Sequence, residues 1–589
     1  MNRVVLTSAY CAVWMLWLTW SSSAEAATQA ERKRAAAEML QAALRCEIDG
    51  SNLERNRLLQ SALEQVPNYA PALWQSGYVR HGKRWLKYDE LPQLLADDQR
   101  LGAYEQKRDS SPDTVDGQLT LARWCTKHQL SDQARAHLTR ALELNPEHAA
   151  ARQLAGYRRM GGVWVSGQEI AQAAARMAEL AKGLNEWRTR LEEIRRGLTR
   201  PGDRQRQAAA ERLLAIDDPA AIPAIELTFF GANEEFAVLV VETLGGMAAN
   251  EASVALARQA VFSPAESVRG LAAQKLASRD QHSYVPALLA AMSTPIQSRA
   301  GLYVTGNGRL TYRHLLFREE QYRAQQVAMD SEYDDPILFA NGVSGVGRRN
   351  ALAGILQQDA AGRARNMESA VAMQNVVIEE LNRRICEALA TATGHDLPPS
   401  PESWWQWWND YNEVYLAGDK PVYEIYNRQQ VSTPPPVSMG ECLIAGTLVW
   451  TASGPMPIEQ IKVGDLVLSQ NPTTSELAYK SVLRTTLRPP ERLVKLVIGD
   501  KALQCTGGHP FWIAGQGWVK ARVLEEGAYL HTVDGIIAVR SVHGTGIEET
   551  HNLIVADFHS YFVTEAKLLT HDNTIRQPTD TVVPGLLRP

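Results

Sequence analysis

A chain of 589 residues is too long for one core, since a single domain usually spans about 100–200 residues, so several domains are expected. Lys and Arg number 61 against 66 Asp and Glu, and the net charge of −5 with both signs interspersed excludes the basic footprint of a nucleic-acid or anionic-membrane binder. The chain opens with Arg3, an apolar run through Trp20 and the small-residue pattern Ala24-x-Ala26, which reads as a secretory signal over 1–26 with the mature chain starting near Ala27. That run is short for a bilayer span, so the expectation is an exported protein, periplasmic or extracellular, with no membrane span in the mature chain. Removing it leaves Cys46, Cys125, Cys386, Cys442 and Cys505, an odd and sparse set that suits a core-stabilised protein rather than a disulfide framework.

Residues 27–167 carry an internal repeat. Leu59-x-x-Ala62-Leu63-Glu64-x-x-Pro67-x-x-Ala70, then Gly77-Tyr78-x-Arg80-x-Gly82-x-x-Trp85, returns at a common offset of 79 as Leu138 to Ala149 and Gly156 to Trp164. Small residues at helical spacing followed by Pro resemble the tetratricopeptide repeat, which buries its face only against neighbouring units. Over 168–199 the apolar residues Ile170, Ala174, Met177, Leu180, Leu184 and Trp187 recur every three or four positions, predicting one long amphipathic connecting helix. A second repeat, at an offset of 63, fills 200–300: Arg206-x-x-Ala209-Ala210-x-x-Leu213 with Ile222-Pro223, then Arg269-x-x-Ala272-Ala273-x-x-Leu276 with Val285-Pro286. Ala-rich helix pairs of this size resemble HEAT repeats, which stack into an α-solenoid. Such arrays imply a protein partner, and a purely architectural role is the equal alternative.

From 301 to 426 the pattern is mixed. Tyr303-Val304-Thr305 breaks the helical period, Asn341 to Gly347 reads as turns because it lacks the strand and helix of a phosphate-binding loop, and helix resumes from Asn350 to about His395. Trp404-Trp405-Gln406-Trp407-Trp408 could stack on a sugar or a proline-rich ligand, but such clusters more often close a helical core. A Pro-rich linker over 427–440 should be extended and exposed, which would put Cys442 at the mouth of a separate domain.

Residues 441–573 hold three ordered blocks: Glu441-Cys442-Leu-Ile-Ala-Gly-Thr-Leu-Val449, Thr506-Gly-Gly-His509, and Thr550 to Val563 followed by His571-Asp572-Asn573-Thr574. Apolar residues alternate in the last block and in Leu493 to Ile498, as in half-buried strands. Together the blocks resemble the Hint fold of inteins, Hedgehog autoprocessing domains and the Hint modules of polymorphic toxins, the toxin type most. The resemblance implies intein-like cysteine chemistry, single-turnover rather than a multi-turnover enzyme, with no cofactor and no metal. Cys442 would attack the carbonyl of Glu441 in an N-to-S acyl shift, Thr506 would hold that carbonyl oxygen and His509 would protonate the departing nitrogen. Asn573 would cyclise and cut the chain after itself, aided by His571 or Asp572, with Thr574 as the acceptor for splicing, and His559 belongs to the same candidate set. Two positions depart from the family pattern: many inteins have Asp where Asn552 stands, and Asp572 separates His571 from Asn573. The tail 574–589 is too short for a folded effector.

The expected fold is therefore multidomain: all-α helical repeats, TPR-like then HEAT-like, before an all-β Hint domain. The expected function is autocatalytic cleavage or splicing in an exported repeat protein. A binding scaffold with an inactive Hint domain, or a toxin-delivery protein lacking a large cargo, are the alternatives.

Overall fold

The computed structural model describes residues 29–160, 163–304, 310–333, 346–415, 420, 422–426, 429–430, 438–439 and 441–587. The expected signal over 1–26, the Gly-rich turns at 341–345 and most of the Pro-rich linker lie outside these residues. Two compact units result: 1–172 with 440–575 and 579–589, and 173–439 with 576–578.

The first unit begins with helices at 29–48, Asn52–Gln65 and Ala70–Gln75 and continues through Gln99–Ser110, Val115–Lys127, Ser131–Leu144 and Ala149–Leu154. The Asp98 and Thr114 side chains accept from the first-turn N–H groups of Arg100 and Gly117, satisfying donors that a helix start leaves open. The 79-residue repeat is not helical throughout. Its Gly-Tyr half forms β-hairpins, Tyr78–His81 with Arg84–Lys87 and Tyr157–Met160 with Val163–Ser166. The reason lies in Gly77 and Gly156, at φ 77° and 83°: each stops a helix in the left-handed conformation that other residues avoid and redirects the chain into a strand.

The β-rich part of this unit is one sheet system, in the order Gly454–Pro457, Leu448–Thr451, Leu466–Gln470, Leu477–Ile498, Lys501–Thr506, Leu443–Ile444, Gly535–Val555, Tyr529–Thr532, Pro510–Ile513, Leu568–His571 and Ser560–Val563. Two long strands, Leu477–Ile498 and Gly535–Val555, pair antiparallel with four register shifts that bend them. Val449, Val467, Val482, Leu496, Cys505, Phe511, Leu530, Val555 and Val563 fill the core between them. Cys505 is buried in this core.

The second unit contains the rest of the helix Gly167–Leu198, the helices Asp203–Leu214, Ile222–Thr228, Glu234–Gly246, Asn250–Phe262, Glu266–Leu276 and Val285–Ala290, the 48-residue helix Val346–Thr393, and Pro401–Asn412. Pro223 and Pro286 stand in the first turns of their helices, where the missing N–H removes no bond, which explains their recurrence. The long predicted helix forms, but only its C-terminal half packs: Leu191, Ile194 and Leu198 are buried while Met177 is 66% exposed. Strands Gln297–Val304, Leu310–Glu319, Ala324–Glu332, Val422–Tyr426 and Gln429–Gln430 make a five-stranded sheet, so the break in helical period marks a β element. Trp404, Trp405 and Trp408 are buried in the hydrophobic core that this unit's helices share, the packing role expected of the Trp cluster.

Candidate functional site

The Glu441–Cys442 peptide is buried at the start of the short strand Leu443–Ile444, which is sandwiched between Lys501–Thr506 and Gly535–Val555. Both flanking strands present side chains to it. The Cys442 N–H donates to Thr506 Oγ1 at 3.0 Å, and the Thr506 N–H donates to the Cys442 carbonyl at 2.9 Å. On the other side, the Asn552 side-chain amide donates to the carbonyl oxygen of Glu441. The orientation of that amide is fixed by its oxygen, which accepts from the Tyr561 hydroxyl at 2.7 Å and from the Leu553 N–H at 2.7 Å. Burial pushes the Tyr561 hydroxyl well above its ordinary pKa, with Cys442 and Asp572 nearby acting the same way, so it remains a donor.

This geometry redistributes the expected roles. Thr506 meets the amide nitrogen of the junction rather than its carbonyl oxygen. The oxygen is met by Asn552, the position where many inteins carry Asp. Cys442 is 0% exposed, so it does not stand at an open mouth. Neither is its domain separate, because residues 441–575 share one compact unit with the N-terminal helices.

His509 lies on the Gly-Gly turn after Thr506, its N–H donating to the Thr506 carbonyl at 3.2 Å, which keeps both side chains at one buried bend. Its Nε2 is 2.6 Å from Thr570 Oγ1, and that hydroxyl donates to the Pro510 carbonyl at 2.8 Å. A hydroxyl has one hydrogen, so the proton between His509 and Thr570 sits on Nε2, leaving Nδ1 as the basic nitrogen of the neutral ring. Thr570 reaches the site because Leu568–His571 pairs with Pro510–Ile513, Phe511 facing Thr570 in the register.

At the other junction Asn573 is buried, its N–H donating to the Leu553 carbonyl at 2.8 Å and its side-chain Nδ2 to Thr486 Oγ1 at 3.2 Å. Thr486 in turn donates to the Asn552 carbonyl at 3.1 Å, so one hydroxyl links the two junctions. Asp572 is a fully buried hub. Its carboxylate accepts from the Val555 N–H at 2.8 Å, from His559 Nδ1 at 3.1 Å, from the Thr574 N–H at 3.0 Å and from the Thr574 hydroxyl. Burial works to raise its pKa, but the His559 hydrogen bond and the charges of His571 and His559 outweigh it and hold the carboxyl below its ordinary value. His559, half-exposed and in a left-handed backbone conformation at φ 52°, has its pKa raised by the Asp572 hydrogen bond. The His571 Nδ1 contacts the Asp572 carbonyl at 2.8 Å and its ring meets Trp518 edge-on.

Cys442, Thr506 and His509 thus gather at one junction, and His559, Asn573 and Thr574 at the other through Asp572. Sequence reasoning missed Thr486, Tyr561 and Thr570, whose positions follow from strand register and carry no motif of their own. It treated Asn552 and Asp572 as departures, and each touches a junction. Among the described residues no group of His, Cys, Asp and Glu is arranged to hold a metal ion, and no helix is long and apolar enough to cross a membrane.

No curated protein matches the chain. Residues 448–574 match the family model described as the pretoxin HINT domain. Among solved structures, the bacterial intein-like domain from Clostridium thermocellum is 36% identical, with 22% of this chain and 98% of that one covered at a TM-score of 0.22. The gp41-1 intein is 25% identical over 23% of this chain and 99% of its own, at 0.20, and the DnaB intein from Synechocystis sp. PCC 6803 is 20% identical over 23% and 99%, at 0.21. A helical region followed by a β-rich, intein-like Hint domain at the C-terminus is what this chain comprises.

Proposed function

We propose that this protein cleaves its own backbone at Glu441–Cys442. The observation that carries the reading is the two-sided grip on that buried peptide, with Asn552 on its carbonyl oxygen and Thr506 on its nitrogen. Attack of the Cys442 sulfur forms the C–S bond, and negative charge collects on the Glu441 oxygen where the Asn552 donor already waits. Breaking the C–N bond moves the thiol proton, through His509, to the Cys442 nitrogen. The product is a thioester at Glu441 and a free amine on Cys442, open to hydrolysis or to an added thiol.

A second cut uses Asn573. Its Nδ2, oriented by Thr486, bonds to its own main-chain carbonyl carbon, the Asn573–Thr574 bond breaks, and a proton passes from Nδ2 to the Thr574 nitrogen. Asp572 accepts a hydrogen bond from that leaving nitrogen and another from His559, whose raised pKa favours the protonated ring: His559 gives a proton through Asp572 to the leaving nitrogen and is restored by the one that Nδ2 loses. Asp572 with His559 thus takes the place of a His directly beside Asn573.

The helical regions fit this reading as exported TPR-like and HEAT-like arrays that accompany the Hint domain to the periplasm or the outside behind the signal over 1–26. The test is dithiothreitol: on denaturing gels the wild-type chain should yield a fragment ending at Glu441, and Cys442→Ala should yield none. Equal cleavage of the two overturns the assignment of Cys442.

A further inference from the structure

The N-terminal repeats have a partner within the molecule, and it is the Hint domain of the same chain. Helix 29–48 sends Glu47, 0% exposed, into the β domain, where its carboxylate meets His531 Nδ1 at 2.8 Å and His531 Nε2 meets Gln470 Oε1 at 2.8 Å. Arg55 closes the network from the next helix, with 2.6 Å to Glu47 and 2.9 Å to both the carbonyl and the side-chain oxygen of Gln75. Asn52 pairs in both directions with the Ile536 backbone, at 2.9 and 3.0 Å, as a strand would.

Apolar contact follows the polar one. In the first hairpin copy Val79 and Tyr88 are buried against Leu468, Leu477, Trp512, Phe562 and Leu569. The tail binds the two parts together: Val582, Val583 and Leu586 pack with Ala36, Leu40 and Leu44 of the first helix, Gln75 donates to the Pro584 carbonyl at 2.8 Å, and the Gly515 N–H donates to Val582 at 2.9 Å.

The internal repeat supplies its own comparison. At the offset of 79, Arg55, Trp74, Val79 and Tyr88 of the first copy become Ala134, Gln153, Arg158 and Gly167 in the second. Gln153, Arg158 and Gly167 are exposed. The first hairpin thus presents apolar residues to the β domain, with the buried Glu47–Arg55 ion pair on the helices before it, whereas the second hairpin is polar and exposed at the matching positions.

From this we infer that residues 29–172 form a dedicated receptor for the Hint domain, and that the two remain a one-to-one non-covalent complex after the chain between them is cut. Cleavage before Cys442 then converts a single chain into two tightly associated ones rather than freeing the Hint domain. Cleavage after Asn573 leaves the tail in place, because the apolar residues of its paired strands Thr581–Val583 and Leu586–Leu587 are already shared with the first helix.

The test is independent of the self-cleavage chemistry. A full-length Cys442→Ala chain receives a foreign protease site in 431–437, is cut there, and is run on native gel filtration with light scattering in 0.1 and 1 M NaCl. The two fragments are expected to co-elute at one-to-one mass in both. Separate elution, or co-elution only as aggregates, overturns the inference. A Val79→Arg/Tyr88→Gly chain, which gives the first hairpin the residues of the second, should weaken retention by at least about 10²-fold, since it buries an unpaired charge at the contact. Arg158→Val should change nothing. Undiminished retention in the first variant, with its circular dichroism unaltered before cutting, overturns the role of the hairpin, and if that variant misfolds the wild-type elution still decides the complex.

Discussion

Replacing Asn552 by Ala removes the donor that faces the Glu441 carbonyl oxygen and nothing else that touches the reacting atoms. Loss of one oxyanion donor typically lowers a rate by about 10²–10³-fold, or about 2.7–4 kcal/mol. Asn552 already bonds the ground-state carbonyl, and only the part of the bond that strengthens as the oxygen becomes charged accelerates the step, which points to the lower end, roughly 10²-fold. The same change strands the buried Tyr561 hydroxyl, for about 1–3 kcal/mol of stability. The assay is the single-turnover rate of fragment release in dithiothreitol, with thermal melts to separate the two effects. Asn552→Asp adds a sign test. Only a protonated carboxyl can donate to the carbonyl, so this variant should cleave at low pH and lose activity as pH rises through the pKa of the introduced carboxyl, whereas the wild-type amide has no such step. A rate for Asn552→Ala within about threefold of wild type, in a folded protein, would refute the assignment, because even a weak donor is worth more than that.

Asp572→Asn should slow cleavage after Asn573 by about 10²-fold while leaving release at Glu441 within about threefold, both read by intact mass over time, because a neutral amide cannot accept from His559 and Thr574 together and carry the proton onward. In the wild type that second cut should decline as pH rises through the His559 pKa, which lies above its ordinary 6.5, since the protonated ring is the form lost; in Asp572→Asn the inflection should move down, because the hydrogen bond that raises it is gone. Glu47→Gln should cost about 3–5 kcal/mol by leaving buried Arg55 without its carboxylate, measured by urea melts of the full chain. Burial works to raise the Glu47 pKa, but the charges of His531 and Arg55 prevail and lower it. The contribution of Glu47 is therefore present above the ordinary carboxyl pKa and disappears as pH falls through the lowered value, so the wild-type and variant curves should converge in acid.

The sequence by itself determined the elements whose cause is local. Gly77 and Gly156, Pro223 and Pro286, the helical spacing from Gln168 to Leu198 and the alternation around Leu493 to Ile498 each act through backbone conformation or a periodic apolar face. The order of Cys442, Thr506-x-x-His509 and Asn573 likewise marked the candidate site of the proposed chemistry, because those side chains are demanded by type. What only the tertiary structure decided is which group meets which atom. Thr506 turned from the carbonyl to the nitrogen, Asn552 took the oxygen, and Asp572 became a hub because strands distant in sequence set these side chains within hydrogen-bond distance, a register that no local pattern encodes. The same holds for the union of the N-terminal helices with the Hint domain. Glu47 and His531 are 484 residues apart, and a single buried Glu in an amphipathic helix carries no sign of its partner until the fold brings the two together.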